Sequence, residues 1–256
     1  MATCCRRPFL LSSTSSIRKP PRAPRRSYQS STHPPPPPYT PEASSILSSS
    51  LRHVPQHGFT QTSLTLGARD AGFLDISTNL LPRGVFELVN YHLMNQRLAL
   101  KDTVQFPEEG KEAGGKKTGV GKKVRALLLA RLRGNIDAGV VGRWQEALAV
   151  MALPTNIRPS LAELARLSDE MWFLAGDVSV DTSWYTKRAS LSGIYAAAEV
   201  FQTQDESPNY KDTEHFVDAR LDEVQQVGST VGQVAEWLDF TGHAAVNVLR
   251  SKGVRI

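Results

Sequence analysis

The chain has 256 residues, enough for a sizeable hydrophobic core, and a formal net charge of +5. Residues 1–41 hold seven basic residues and no acidic one, which leaves 23 basic against 25 acidic residues elsewhere and argues against a general polyanion-binding body. The only two cysteines, Cys4 and Cys5, lie in that same segment, so the rest of the chain has no disulfide or cysteine-based zinc site. The sequence has no apolar run long enough to span a bilayer.

Residues 1–41 are rich in Arg, Ser and Thr, a composition typical of a mitochondrial transit peptide. The sequence Arg26-Ser27-Tyr28 resembles a matrix-peptidase site, and we expect cleavage after Tyr28. Five consecutive prolines at 34–38 predict a polyproline II spacer, so the segment is interpreted as a transit peptide followed by a disordered linker. An ordinary disordered basic tail is the alternative.

Hydrophobic spacing predicts an all-α body over residues 42–228. A helix over 60–71 ends at Gly72, and a helix over 79–104 places Pro82 in its first turn, where proline is tolerated. Ser160 and Glu163 form a capping box, which predicts that a helix begins there. The Gly- and Lys-rich segment 107–121 is predicted to be a loop. The other predicted helices cover 42–54, 120–136, 140–153, 182–204, 212–227 and 230–251.

The segment around Gly72 has the outline of a helix-turn-helix motif. A recognition helix that follows such a turn needs donors for phosphates and base edges. Residues 75–83 offer one acid, Asp75, and one late arginine, Arg83. The motif is therefore predicted to be a remnant that does not bind nucleic acid.

Several catalytic and metal-binding patterns each lack one or two of the residues that they require. The phosphate-loop-like run at 110–117 has Lys117 where a hydroxyl should hold magnesium. An EF-hand-like spacing begins at Asp177, but Thr182 replaces the required glycine and Arg188 the required glutamate. Asp181 is better interpreted as the N-cap of the next helix. We find no Glu-x-x-His pair and no nucleophile elbow, so we expect no metal, no cofactor and no enzymatic activity.

The run at 176–188 combines acids, two adjacent aromatics and two adjacent cations. Trp184, Tyr185 and Arg188 would lie close together at a helix N-terminus, and these residue types dominate binding hot spots. Core packing of the rings is the alternative. Consecutive residues of a helix point about 100° apart, so at least one ring is expected to reach a surface or pocket.

The last predicted helix, in the segment 229–256, is amphipathic. It either packs on the core or lies in a membrane interface. Its candidate membrane-binding residues are Val234, Trp237, Leu238, Thr241, Ala245 and Val248.

One family resemblance covers residues 45–251. The pattern Gly-Asp-x-Ser-x-Asp-x-x-Trp-Tyr-Thr-Lys-Arg at 176–188 closely resembles the mitochondrial ubiquinone (coenzyme Q) biosynthesis accessory proteins known as the ninth Coq protein. The continuations at 191–195 and 205–208 also fit that family, as do the segments 144–149, 168–172, 213–216 and 219–221.

The resemblance implies the fold of TetR-type regulators and a homodimer that binds isoprenoid lipid or phospholipid. It also implies a non-enzymatic role, in which the protein presents demethoxy-ubiquinone to the di-iron hydroxylase of the pathway on the matrix side of the mitochondrial inner membrane. The hydroxylase-binding patch then comprises Met171, Asp181, Trp184, Tyr185 and Arg188, and the helix at 230–251 engages the membrane surface.

A polyprenyl quinone tail needs an apolar cavity among the C-terminal helices. Candidate lining residues are Leu127, Leu128, Leu148, Met151, Phe173, Leu191, Ile194, Tyr195, Phe201 and Phe216. Two competing hypotheses remain: a TetR-like helix-turn-helix DNA-binding regulator, and an enzyme with an unrecognised site.

Overall fold

A computed structural model of the chain describes residues 39–106, 119–178 and 183–226, and no strand occurs within these ranges. The longer elements are α1 (Pro41–Leu51), α2 (Val54–His57), α3 (Gln61–Asp70), α4 (Val85–Thr103), α5 (Val120–Asp137), α6 (Trp144–Met151), α7 (Pro154–Ala175), α8 (Ser183–Gln202) and α9 (residues 211–226). Three short 3-10 helices cover Asp75–Leu80, Val141–Arg143 and Pro208–Tyr210. The all-α prediction is confirmed. The leader up to residue 38, most of the loop 107–121 and the helix predicted at 230–251 lie outside the described residues.

The N-terminal part of the bundle packs α1 against α3 at very close range. A Cβ added at Gly67 of α3 would lie 2.0 Å from the hydroxyl and 2.4 Å from the backbone nitrogen of Ser50 in α1. Only glycine allows this approach, since backbone cannot move aside as a flexible side chain can. The core cluster around this contact includes Ile46, Leu47, Leu64, Leu88 and Trp144.

The C-terminal part of the bundle has its own hydrophobic cluster, built by α5, α7, α8 and α9. Its buried members include Leu127, Leu128, Leu132, Leu167, Met171, Leu191, Tyr195 and Val217. The long helix α4 contacts α1 and α6 as well as α5 and α7, so it joins the two clusters. The candidate sites described below all lie on this C-terminal part or at its junction with α4 and α6.

Three predicted helix starts are wrong: the helix predicted from residue 140 begins at Trp144, after a 3-10 helix, and prolines explain the other two. The helix predicted from residue 79 begins at Val85, because Pro82 follows an extended Leu81 (φ −105°, ψ 89°) and Gly84 adopts φ +53°. The capping box at Ser160 is not used, because α7 already starts at Pro154 and continues through Pro159. Ser160 is interior, and its hydroxyl donates to the carbonyl of Asn156 at 2.7 Å.

The turn after α3 confirms the predicted role of Gly72, which ends the helix at φ +81°. Where a recognition helix would stand, the structure has the 3-10 helix Asp75–Leu80. Arg69 forms a two-pronged ion pair with Asp75, with nitrogen–oxygen distances of 2.7 and 2.6 Å. This guanidinium is therefore already engaged by a carboxylate.

Candidate functional site

The first two turns of α8 bring Trp184, Tyr185 and Arg188 together, as the sequence predicted; we call these three residues the aromatic surface. The two ring centroids lie 4.8 Å apart in an edge-on arrangement, and the Arg188 guanidinium carbon lies 3.9 Å from the centre of the Trp184 ring. Tyr185 is 70% exposed, so at least one ring reaches solvent as expected. Such a cation–ring–ring group offers a large contact area with one charged end.

Two carboxylates hold Arg188 in place beneath the rings. Its Nε lies 2.6 Å from Asp169 of α7, and its Nη1 lies 3.6 Å from Asp177. The neighbouring Lys187 pairs with Asp177 at 2.9 Å. The side chain of Arg188 is only 12% exposed, so this charge orients the aromatic surface more than it faces a partner.

The other two patch residues implied by the resemblance are placed differently. Met171 is fully buried in the C-terminal cluster, because its position on α7 faces α5 and α8. It can support a binding surface from below but does not form part of one. Asp181 lies outside the described residues, as does its predicted role as an N-cap.

An apolar cavity, here called the inner cavity, lies where α4, α5, α6, α7 and α8 meet. Its volume is about 270 Å³. The predicted residues Leu148, Met151 and Tyr195 line it. Further lining residues that the sequence prediction missed are Leu93, Ile157, Leu161, Leu164, Leu167 and Ala196. Ile157, Leu161 and Leu164 follow the i, i+4, i+7 spacing of one helix face, and this spacing could have identified them as lining residues from the sequence.

A second cavity, the outer cavity, measures about 880 Å³ and lies between α5, α8 and α9. The predicted residues Leu191 and Ile194 line it, together with Trp172 and Lys187 beside the aromatic surface. Its wall also carries charges: Lys122, Arg125, Asp218 and Asp222. The outer cavity is therefore a more polar environment than the inner one.

The remaining predicted lining residues line neither cavity. Leu127 and Leu128 are fully buried in the C-terminal cluster. Phe201 and Phe216 stack on each other with their ring centroids 4.7 Å apart. The prediction that Phe173 lines an apolar cavity is wrong. Its side chain is 72% exposed, because it lies on the face of α7 away from the buried Met171.

A buried polar cluster forms part of the wall of the inner cavity, and sequence analysis did not assign it. Arg131 of α5 is enclosed, and its Nη2 lies 3.9 Å from the carboxylate of Glu199 on α8. The Tyr195 hydroxyl donates to the same carboxylate. Asn135 accepts at its Oδ1 from Arg131 at 2.7 Å and from His92 at 3.0 Å.

Burial dominates the protonation of this cluster. Desolvation raises the pKa of Glu199, and the Arg131 guanidinium opposes that shift. Desolvation also raises the pKa of the Tyr195 hydroxyl well above its usual value. The pKa of His92 falls from 6.5 to about 4, first because of burial and then because of the nearby positive charge of Arg131. His92 is therefore neutral at pH 7.

We expect the protein to lose stability in mild acid because of His92. In the unfolded chain this imidazole binds a proton as the pH falls through 6.5, whereas in the folded protein it resists protonation until about pH 4. The free energy of unfolding should fall by about 2 kcal/mol between pH 7 and pH 5 from this group alone. Urea unfolding at the two pH values measures the loss. His92→Gln should lose less over the same interval, and an equally steep loss in that variant would contradict the assignment.

Two absences among the described residues bear on the site. No group of three or more His, Cys, Asp or Glu side chains there is arranged to hold a metal ion. No helix in the described ranges combines the length and apolar character needed to cross a membrane. The candidate membrane-binding residues of the last helix lie outside those ranges and stay a prediction.

The family profile and the curated relatives that match this chain point to the same family. The family profile described as COQ9 matches residues 157–228. A Schizosaccharomyces pombe protein named "Ubiquinone biosynthesis protein coq9, mitochondrial" is 37% identical over 209 residues, covering 82% of this chain and 80% of that protein. The Rattus norvegicus and Homo sapiens proteins named COQ9 are 32% and 31% identical over 212 residues. The chain spans 66% and 65% of the length of these two relatives.

Among solved structures, a TetR transcriptional regulator from Nitrosomonas europaea shares the fold, with a TM-score of 0.51 over 70% of this chain and 95% of that one. The two sequences are 14% identical, so the likeness concerns the fold alone. It confirms the predicted TetR-like architecture. The Schizosaccharomyces pombe relative, which aligns over most of both chains, and the matching family profile show that the chain belongs to the COQ9 family of ubiquinone biosynthesis proteins.

Proposed function

We propose that this chain is a non-catalytic, lipid-binding accessory protein of ubiquinone biosynthesis, which binds isoprenoid quinone intermediates and presents demethoxy-ubiquinone to the di-iron hydroxylase of the pathway. A role in ubiquinone biosynthesis in mitochondria follows from membership of the family. Lipid binding, delivery to the hydroxylase and the absence of chemistry of its own are the proposed steps beyond that.

The inner cavity is the observation that carries the proposal. Moving a lipid tail from a bilayer into water costs about 0.8 kcal/mol per CH₂ group, so a carrier must surround the tail with apolar side chains. The aliphatic lining of this cavity supplies such a wall. Two of its lining residues, Ile157 and Leu161, are 43% and 59% exposed and therefore mark its rim. A tail longer than the cavity can leave across this rim.

The aromatic surface supports docking of the hydroxylase. Tyr and Trp bury large areas at little cost in conformational entropy. Arg188 is held by Asp169 and Asp177 and contacts the Trp184 ring, so a partner meets a pair of rings that is already oriented. Because the same helix, α8, carries Tyr195 in the wall of the inner cavity, a docked partner would share a helix with the bound lipid.

The cellular setting belongs to the same proposal. The predicted transit peptide would take the protein to the mitochondrial matrix. The helix predicted at 230–251 would then hold it on the matrix side of the inner membrane by burying its apolar face at the interface. The homodimer implied by the family resemblance completes this arrangement.

The TetR-like fold makes a DNA-binding regulator the competing proposal. DNA affinity comes mainly from cations that contact phosphates. At the helix-turn-helix remnant, Arg69 is paired with Asp75 and Arg83 with Glu87. The intervening segment exposes Leu74, Ile76 and Leu80. This pairing of charges and these apolar side chains favour the lipid-binding proposal.

Lipid that co-purifies with the full chain is the expected result that tests the proposal. Native mass spectrometry of protein exposed to mitochondrial lipid extract should show a bound quinone or phospholipid. Ala196 lines the inner cavity, so Ala196→Phe should fill part of it. Displacing only two methylene groups costs about 1.6 kcal/mol, so affinity should fall at least about tenfold.

The neighbouring residue provides the matched control. Ala197 is exposed on the same helix, and Ala197→Phe adds the same ring outside the cavity. This control should bind lipid as the unmodified chain does. Equal loss in both variants, or no bound lipid in the unmodified chain, would refute the proposal.

A further inference from the structure

The segment that stands where a recognition helix would be exposes three large aliphatic side chains; we call residues 74–80 the apolar segment. Leu74, Ile76 and Leu80 are 76%, 71% and 55% exposed. Leu74 and Leu80 are two turns of a 3-10 helix apart, which places them on the same side of it, with Ile76 a third of a turn away. Neighbouring exposed apolar side chains often mark a site of contact with a protein or a membrane.

The apolar segment is anchored to the core at both ends. Phe73 before it and Leu81 after it pack on the N-terminal core cluster, and Leu81 is buried. Within the segment, the Thr78 hydroxyl donates to the backbone carbonyl of Asp75 at 2.9 Å. The fold therefore fixes the ends of the segment inside and presents the three aliphatic side chains to the outside.

The charged residues around the apolar segment are already engaged. Each charged side chain between residues 69 and 83 has a partner of opposite or complementary character. The pairs are Arg69–Asp75, Arg83–Glu87 and Asp70–His53, with shortest nitrogen–oxygen distances of 2.6, 2.8 and 2.7 Å. A nucleic acid or a charged protein surface needs unpaired charges to bind. Paired charges instead lower the cost of taking this surface out of water.

The size of the surface distinguishes a membrane from a protein partner. Three aliphatic side chains cover about 300 Å² at most, whereas a stable protein interface needs about 800 Å² on each partner. A bilayer requires no matching shape, and side chains that reach below its headgroups are stabilised by the apolar area that they bury. A small aliphatic group surrounded by paired charges therefore fits a bilayer.

We infer that the apolar segment is a membrane anchor, which inserts Leu74, Ile76 and Leu80 beneath the lipid headgroups of a bilayer. The inference goes beyond the proposed function, because it adds a membrane contact that involves neither the inner cavity nor the helix predicted at 230–251. One weak anchor gives reversible attachment, and stable attachment takes a second one. Because the nearby charges are paired, this anchor should act equally on neutral and anionic bilayers.

The test measures sedimentation of the full chain with lipid vesicles. Leu74→Ser combined with Ile76→Ser removes two of the three aliphatic side chains, and both positions are exposed. The partition coefficient on phosphatidylcholine vesicles should fall at least about tenfold, which corresponds to about 1.4 kcal/mol. The factor should be the same when phosphatidylserine is added to the vesicles and when the salt concentration is raised.

Leu98 provides the matched control for the single substitutions. It is 55% exposed and lies thirteen residues, about 20 Å, along α4 from Val85. Ile76→Ser should weaken vesicle binding, and Leu98→Ser should not.

A substitution in the opposite direction gives a second, independent measurement. Ile76→Trp should strengthen vesicle binding, because tryptophan prefers the membrane interface. Lipids brominated on their acyl chains should quench the fluorescence of this variant more than that of the unmodified chain, whereas Leu98→Trp should show no additional quenching. This variant decides the question even if the double serine variant does not fold.

The possible outcomes separate the anchor from other uses of the segment. An unchanged partition coefficient in the folded double variant would overturn the inference. A loss that requires phosphatidylserine or disappears in salt would also overturn it, because that pattern indicates a charge contact. Weaker binding of the hydroxylase by the double variant without vesicles would assign the segment to a protein partner instead.

The anchor and the proposed function fail separately. The double variant should keep the lipid that native mass spectrometry detects, since the apolar segment does not line the inner cavity. Absence of bound lipid in the unmodified chain would reject the proposed function and leave the vesicle result standing.

Discussion

Arg131→Met alone should destabilise the protein by about 3–5 kcal/mol, because it removes the partner of a buried charge. Arg131 is enclosed, and the carboxylate of Glu199 opposite is nearly so. Methionine fills much of the same volume without a charge, so little of the loss comes from packing. The expected result is a large fall in the urea midpoint at pH 7, with little change in the slope of the unfolding transition.

The destabilisation should depend on pH in a defined direction. Burial already raises the pKa of Glu199 above 4.5, and loss of the guanidinium that opposes this shift raises it further. A carboxyl whose folded pKa exceeds its unfolded pKa contributes stability below 4.5 that is lost as the pH rises. The difference in unfolding free energy between Arg131→Met and the unmodified chain should therefore grow by up to about 1.4 kcal/mol per pH unit between the raised pKa of Glu199 in the unmodified chain and its higher pKa in the variant.

A second substitution tests whether the loss of stability in Arg131→Met comes from an unpaired charge or from poorer packing. Adding Glu199→Gln to Arg131→Met removes the unpaired carboxylate, so most of the lost stability should return at pH 7. Without that recovery, the damage would be due to packing and not to an uncompensated charge. A destabilisation that is constant with pH would contradict the electrostatic explanation in the same way.

The sequence predicted most of the helices because their apolar residues recur every three or four positions. The helix predicted over 182–204 is α8 within two residues at each end. Prolines gave the two largest errors in the predicted helix starts, because the same residue can begin a helix or interrupt one. Pro154 begins α7, and Pro159 is carried inside it, whereas Pro82 lies before α4. Neighbouring backbone angles and tertiary packing decide between these roles, and the sequence does not display them.

The candidate site was predictable where its features are local. Trp184, Tyr185 and Arg188 lie within two turns of one helix, so helical geometry alone placed them together. Phe173 could also have been placed correctly, because it lies two residues, or about 200°, around the helix from the buried Met171. The Arg131–Glu199 pair joins two helices that are far apart in the sequence. Its only local sign was a cation on the apolar stripe of α5 between Leu128 and Leu132.

Trp184→Ala combined with Tyr185→Ala should abolish measurable binding of the hydroxylase while leaving the protein folded. Two hot-spot rings of about 2 kcal/mol each correspond to a loss of roughly a thousandfold in affinity. Tyr185 is 70% exposed, so its truncation removes contact area and little core packing. The measurement is a titration of immobilised hydroxylase with the full chain and with the double variant.

Two further variants define what that loss means. Thr186→Ala changes an exposed residue on the same turn of α8, and it should bind the hydroxylase normally. Arg188→Ala should weaken binding and also lower stability, since it breaks the pairs with Asp169 and Asp177. The double ring variant is therefore the cleaner test of docking. If it unfolds, the rings are structural; if it still binds, the partner docks elsewhere.

The position of these rings also separates docking from lipid binding. Arg188 and Tyr195 lie seven residues, about two turns, apart on α8, so one continuous helix connects the aromatic surface to the wall of the inner cavity. The ring variant should retain bound lipid, and Ala196→Phe should still bind the hydroxylase although it holds less lipid. Loss of both activities in either variant would mean that lipid and partner share a single surface, and delivery through two separate sites would then have no structural basis.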